Sequence, residues 1–284
     1  MKTFSRRNIQ FLLYEVLNAE ALTRYEYFNA HDCETFEMTL DTATEISEKI
    51  MLAHYVDSDR NQPELENGQV KVHKGVHAFI KAYAESGLLS ATFPLEWEGQ
   101  QLPKTVNAAV EYICMCGHNS FIMFTDLAVG CSNLILNFGT DEQKRQFIPH
   151  LLSGKWGGTM CLTEPQAGSS LSDISTTAIP QPDGTYKITG QKIFISAGDQ
   201  DYAENIIHLV LARIEGAPKG TKGISLFIVP KYRITHKAES NDVQSIGIYH
   251  KMGQKATPAL HLGFGENNEC VGYLLGEAHQ GLPQ

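Results

Sequence analysis

The sequence predicts an α+β chain: an N-terminal all-helical domain followed by a small antiparallel β-barrel or sandwich. Three observations carry that prediction. Apolar residues recur at helical spacing through roughly the first 155 residues. β-branched runs replace them after Gly154. The segment Pro182-Asp183-Gly184-Thr185 then carries a tight-turn signal between two such runs, which predicts a hairpin. A length of 284 residues accommodates two domains at the usual ~150 residues each.

Taken in order, Phe11-Leu12, Val16-Leu17 and Leu22 share one helical face. A second helix is expected from Asp41 to Tyr55, with Ile46, Ile50 and Ala53 aligned. A polar, glycine-containing connection (Asp57 to Gly68) leads to a third, Val76 to Ser86, which Gly87 ends. Ser90 to Gln100 reads as a loop from its Pro and Gly content. Thr105 to Cys116 and Ser120 to Phe138 follow as two apolar helices, and Thr140 caps a further one with Asp141 and Glu142 in its first turn. The strands are expected at Asp173 to Ile179, Tyr186 to Ile195, Ile206 to Ala212, Ile224 to Val229, Val243 to Ile248 and Ala259 to Phe264. The boundary falls near Ser153-Gly154-Lys155, giving domains 1–155 and 156–276. Residues 277–284 read as the lead-in to another helix.

An apolar fraction of 42% is ample for a core, and a formal charge of −9 argues against nucleic acid as a partner. It does not exclude a polyanion such as coenzyme A, which needs only one local patch. Six cysteines without the regular spacing of a secreted scaffold predict reduced thiols and a cytoplasmic protein. Arg6 and Arg7 precede an apolar stretch, but Glu15 and Glu20 follow and no small-residue cleavage site appears, so no signal peptide is expected. Asp126, Ser132 and Asn133 interrupt Phe121 to Phe138, which reads as a buried helix and not a membrane span. Cys114-x-Cys116-x-His118 invites a metal site. However, residues two apart on a helix point about 200° from one another, so no metal is expected. The Gly-x-Ser-x-Gly elbow, the phosphate loop and the dinucleotide fingerprint are all missing.

Two segments remain as candidates. Met160-Cys161-Leu162-Thr163-Glu164-Pro165-Gln166-Ala167-Gly168-Ser169 reads as a strand end opening into a rigid loop, either a structural turn or a ligand loop. Within it Glu164 is expected to hold the loop by accepting backbone N–H bonds, while the hydroxyls of Thr163 and Ser169 suit a ligand. In Lys192-Ile193-Phe194-Ile195-Ser196-Ala197-Gly198, strand alternation puts Phe194 and Ser196 on one face, either as core packing or as a wall for a flat heterocycle.

Together these segments resemble the acyl-CoA dehydrogenases. So do Gly154-Lys155-Trp156-Gly157-Gly158-Thr159-Met160 and His250-Lys251-Met252-Gly253, in the same order and spacing. Phe11-Leu12-Leu13-Tyr14-Glu15-Val16 and Ala203 to Arg213 resemble a branch of larger bacterial enzymes, the 3-methylmercaptopropionyl-CoA dehydrogenase-like group. The resemblance spans essentially the whole chain. It implies FAD contacts from Met160, Cys161, Leu162, Thr163, Gly168, Ser169, Phe194, Ile195 and Ser196, with Ser169 also reaching an acyl-CoA substrate. It implies 2,3-dehydrogenation to an enoyl-CoA, an electron-transfer flavoprotein as acceptor, and a homo-oligomer in the complete enzyme. The family's glutamate base belongs to a C-terminal helical bundle. That bundle is absent here, so this chain is expected to be inactive alone or to need a separate C-terminal half. The alternatives are a non-catalytic remnant without flavin and an acyl-CoA oxidase. The sequence also departs from the family pattern: Gln166 and Ser170 replace a glycine and an aspartate, Phe194 a frequent tryptophan, Ser196 a threonine and Ala197 an asparagine.

Overall fold

A computed structural model describes residues 3–235 and 239–283, and divides them into two compact units. The first comprises residues up to Asn61 together with His73–Ile122; the second comprises Gln62–Val72 and everything from Met123 onward.

The first unit is helical. Its α-helices are α1 (Arg6–Gln10), α2 (Cys33–Ile46), α3 (Tyr55–Arg60), α4 (Lys74–Glu85) and the first part of α5 (Lys104–Phe138). Helix α2 starts earlier than the spacing predicts because Asp32 caps it: its carboxylate accepts from Thr35 N at 2.8 Å, and the Thr35 hydroxyl accepts from Asp32 N at 2.8 Å. After Ile46 the chain passes through a π-helical turn (Ser47–Met51) and a 3₁₀ turn (Leu52–His54). These shift the helical phase, so Ile46 is buried while Ala53 is exposed, and the single face expected over 41–55 is lost. Phe36 and Leu40 of α2, Val76, Phe79 and Tyr83 of α4, and Val106, Val110 and Phe121 of α5 form the core.

Within α5, His118 leaves the helical conformation (φ −166°, ψ 96°), so the stretch is two helices meeting at a kink, in the gap between the two apolar helices expected at 105–116 and 120–138. The buried His118 ring stacks on Phe121 at 3.9 Å, and its Nε2 lies 2.7 Å from the buried Ser58 hydroxyl. Burial pushes its pKa down to about 4, keeping the imidazole neutral.

The second unit contains the rest of α5, α6 (Asp141–Leu152) and ten strands: β1 (Glu64–Glu66), β2 (Gln69–Lys71), β3 (Trp156–Cys161), β4 (Thr177–Pro180), β5 (Tyr186–Ser196), β6 (Asn205–Ile214), β7 (Ile224–Pro230), β8 (Val243–Tyr249), β9 (Ala259–Phe264) and β10 (Val271–Leu275). The α+β class holds. The large sheet runs β10-β7-β6-β4-β5-β9-β8, and β10 also pairs with β5, which closes part of it into a ring. The predicted β4–β5 hairpin forms in register Pro180↔Tyr186. The strand spacing predicted antiparallel neighbours; the sheet is mixed, because β3 and β4 both pair in parallel with β6. Core residues come from strands buried on both faces, such as β7, whose residues are all buried.

Strand β1 lies within the polar connection expected from Asp57 to Gly68, and β2 follows directly after it. Asn67-Gly68 turns between them with both residues at positive φ (52° and 80°), a conformation glycine adopts without a Cβ penalty. The buried Asp199 carboxylate accepts Val70 N at 3.2 Å, and Asp201 accepts Val72 N at 3.0 Å, fastening this hairpin within the β unit. After β10, residues 277–283 form turns tied to β7 through His279 N to Ser225 Oγ (2.8 Å) and Gly281 N to Ile224 O (3.0 Å). Gln284, the last residue of the expected lead-in, lies outside the described residues.

Candidate functional site

Strand β3 ends at Cys161 and the chain reverses at once. Glu164 N donates to Ala167 O at 2.9 Å and Ala167 N to Glu164 O at 3.0 Å, closing a turn over Pro165-Gln166. The Glu164 side chain turns inward, 2% exposed. One oxygen accepts Ser175 N (2.6 Å), Ser175 Oγ (2.8 Å) and Gln166 Nε2 (2.7 Å). The other accepts Thr176 N (3.1 Å), Thr176 Oγ1 (2.6 Å) and the Lys192 ammonium (2.8 Å). The structural role expected of Glu164 is therefore met, and Gln166, a departure from the family pattern, adds one of its bonds.

Burial alone would raise the Glu164 pKa. The Lys192 charge and these donors outweigh burial and hold it at about 2. Burial takes Lys192 below its ordinary value, against the pull of Glu164. Lys192 makes a second contact, donating to Leu162 O at 3.1 Å. The ion pair therefore binds the loop to β5 immediately before the candidate wall.

That wall is built differently from a regular strand. A bulge lies between Lys192 and Ile195, and Phe194 takes φ +58°. Along β5, Ile188 and Lys192 face inward; past the bulge the inward positions become Ile193 and Ile195, and Phe194 turns out, 58% exposed. Without the bulge Phe194 would follow Lys192 into the core. Phe194 and Ser196 share a face as expected, but by way of a phase reversal that simple alternation does not contain. Tyr249 of β8 packs on the Phe194 ring, centroids 4.5 Å apart. Ile193 N donates to Thr163 O at 2.9 Å, joining wall to loop.

The expected residues divide by environment. Gly168 and Ser169 are exposed, and Met160, Leu162, Thr163 and Ser196 are half-buried. Cys161 and Ile195 point into the core. Burial pushes the Cys161 thiol up to about 12, and its sulfur lies 3.4 Å from the Thr159 hydroxyl, so only its backbone is available to a ligand. The hydroxyls of Thr163, Ser169 and Ser196 take part in no hydrogen bond among the described residues. A Cβ at Gly168 would find nothing nearer than Thr163 Cγ2 at 4.0 Å, so the loop backbone is open to a ligand. An outward aromatic face, three unpartnered hydroxyls and an uncovered glycine match the needs of a flat, polar-edged cofactor. Sequence reasoning missed Lys192 and Tyr249. A lysine at an inward position of an apolar strand was the signal for the first; the pairing that places β8 beside the bulge has no local signal.

Residues 34–155 match the family described as acyl-CoA dehydrogenase, N-terminal domain, and residues 159–266 match acyl-CoA dehydrogenase, middle domain. The chain belongs to the acyl-CoA dehydrogenase family. The family comprises FAD-dependent oxidoreductases, and the chain carries its N-terminal and middle domains. It is 41% identical over 227 residues to 3-methylmercaptopropionyl-CoA dehydrogenase of Ruegeria pomeroyi, covering 79% of this chain and 38% of that protein. Against a butyryl-CoA dehydrogenase of Syntrophomonas wolfei the identity is 34% over 293 residues, covering 96% and 46% respectively. The fold matches the crystal structure of an acyl-CoA dehydrogenase from Bacillus anthracis complexed with FAD at TM-score 0.71 and 26% identity, over 88% of this chain and 38% of that one. The chain thus spans less than half the length of these relatives.

Proposed function

We propose that this chain provides the FAD-facing and part of the acyl-CoA-facing surface of an enzyme that dehydrogenates an acyl-CoA thioester at its 2,3 bond. A helical domain would span 1–155 and a β domain 156–276. The observation that carries the reading is the join between loop and wall. Glu164 and Lys192 lock the 160–169 loop, Thr163 O accepts Ile193 N, and the bulge presents Phe194 beside it.

FAD, when bound, supplies the two-electron acceptor of the reaction. Around it, the Phe194 ring would carry one flat face, and the hydroxyls of Thr163 and Ser196 would donate to polar edges. The backbone of Met160, Cys161, Leu162 and Gly168 would approach closely, with Ile195 supporting the wall from the core side. Ser169 would serve both cofactor and thioester. Glu164 is not the base: a carboxylate held at about 2, with six donors on its oxygens, is weakly basic and shut off from any substrate. Glu164 is thus assigned to the loop's structure, and turnover is read as belonging to the complete enzyme. An electron-transfer flavoprotein is the proposed acceptor, and the cytoplasm the proposed compartment.

The test is a visible absorption spectrum of the purified chain after FAD addition and desalting. A retained band supports the site. A colourless chain at saturating FAD overturns it for these two domains alone. Reduction of an artificial acceptor with an acyl-CoA present would refute the absence of turnover, and oxygen consumption would redirect the reading to an oxidase.

A further inference from the structure

A trans peptide places its C=O and N–H on opposite sides of the chain. The peptide joining Leu162 to Thr163 has its oxygen drawn 3.1 Å from the Lys192 ammonium, which is 0% exposed. Its N–H, belonging to Thr163, therefore points away from that buried charge. Like the Thr163 hydroxyl, this N–H takes part in no hydrogen bond among the described residues. A cation bonded to the carbonyl end of an amide draws electron density toward the oxygen, which makes the N–H at the other end a stronger donor. Water does not screen the charge here, and the Glu164 carboxylate offsets it only in part because it lies on a different bond of the ammonium.

We propose that Lys192 is a positioning residue that aims and polarises the Thr163 N–H, so that Thr163 offers two adjacent outward donors to one electron-rich edge of the bound cofactor. This deepens the flavin reading and rests on it. Glu164 has a defined part in the device: it holds the ammonium in place and leaves Lys192 a further bond for Leu162 O. A carbonyl or imine-like edge that gains negative charge on reduction is the acceptor such a pair would favour, so removing the charge should disfavour reduced flavin.

Lys192→Met, Lys192→Arg and the double variant Glu164→Gln/Lys192→Met test this, the double variant serving if the single one fails to fold. The first readout needs no cofactor. In an amide ¹H–¹⁵N spectrum of the chain, the Thr163 resonance should move upfield in Lys192→Met and in the double variant, beyond its neighbours in β3. Lys192→Arg should restore it. An unmoved Thr163 resonance in a folded variant overturns the proposal. The second readout is FAD titration followed by a reductive titration. Lys192→Met should weaken FAD binding about tenfold, as loss of a charge-assisted contact does, and shift the flavin midpoint potential to more negative values, with Lys192→Arg near wild type. Weakened binding with an unchanged potential reduces Lys192 to a structural part and overturns the polarising role. Failure of the wild-type chain to bind FAD would sink the flavin reading instead, and the amide shift would still decide the role of Lys192.

Discussion

Glu164–Lys192 and Asp199–Lys231 are buried ion pairs of the β unit, and they do opposite things with the same chemistry. Asp199–Lys231 closes a seam. Its carboxylate also accepts Val70 N, Gln200 N and the Ser245 hydroxyl (3.2, 2.8 and 2.8 Å), gathering three stretches of chain around one charge. Glu164–Lys192 also satisfies its carboxylate, but its ammonium takes the carbonyl end of a loop peptide and leaves the other end facing out. One pair spends all its bonds on the interior; the other turns part of its field toward the surface. A buried pair is weak evidence for stability as such, so the useful question about each is what its surplus hydrogen bonds hold.

The largest expected effect comes from halving each pair. Lys192→Met leaves Glu164 charged and fully enclosed and should cost roughly 3–5 kcal/mol. Lys231→Met should cost less, about 2 kcal/mol, because Lys231 keeps some contact with solvent and Asp199 retains three donors. Urea unfolding measures both, and equal costs would break the comparison. Only Lys192→Met should also weaken FAD binding in the folded fraction.

Acid sharpens the contrast next. The folded-state pKa of Glu164 lies below its ordinary 4.5, so its stabilisation is complete above about pH 4.5 and drains away as pH falls toward 2. The stability gap between wild type and Glu164→Gln should therefore narrow in that window and stay constant above it. His118 and His208 act in a window that opens higher and overlaps the carboxylate's at its lower end. Burial holds them at about 4 and about 3 against an ordinary 6.5, so the unfolded chain takes up protons first and stability falls as pH drops below 6.5. Melting temperature against pH should show the histidine descent in both proteins and a steeper carboxylate descent in wild type, because Glu37 and Asp242 are also held below their ordinary values and remain in Glu164→Gln.

Backbone changes at the wall come last. Phe194→Gly relieves a positive φ and should raise stability by about 1 kcal/mol, while abolishing FAD retention for want of an aromatic face. A variant that keeps its flavin would show that Phe194 is not the wall.

The sequence carried the α+β order, the β4–β5 hairpin and the loop at 160–169, because each rests on local chemistry: periodicity, a Pro-Asp-Gly turn, a Thr-Glu-Pro corner. It did not carry the phase shifts. The π turn after Ile46 and the bulge at Phe194 each insert a residue into a regular pattern; the helix break at His118, by contrast, falls in the gap left between the two expected helices, and long-range partners fix such points. Ser58 does so for His118, and Glu164 for Lys192. The Asn67-Gly68 hairpin is a different case. Its turn signal was present, but strands of three residues are too short for alternation to register. Parallel pairing of β3 and β4 with β6 was likewise invisible, since strand composition does not encode direction.

The hairpin's membership in the β unit also shapes how the molecule opens. Residues 62–72 and the chain from Met123 onward both belong to that unit, so residues 73–122 of the helical unit are a loop pinned at both ends. If the helical unit melts while the β unit holds, this stretch gains the freedom of a closed ring and not that of a free tail. The difference is on the order of 3–4 kcal/mol for a loop of such length. Partial opening is discouraged by topology itself, and a single peptide-bond cleavage between β2 and α4 would remove that protection without deleting a side chain.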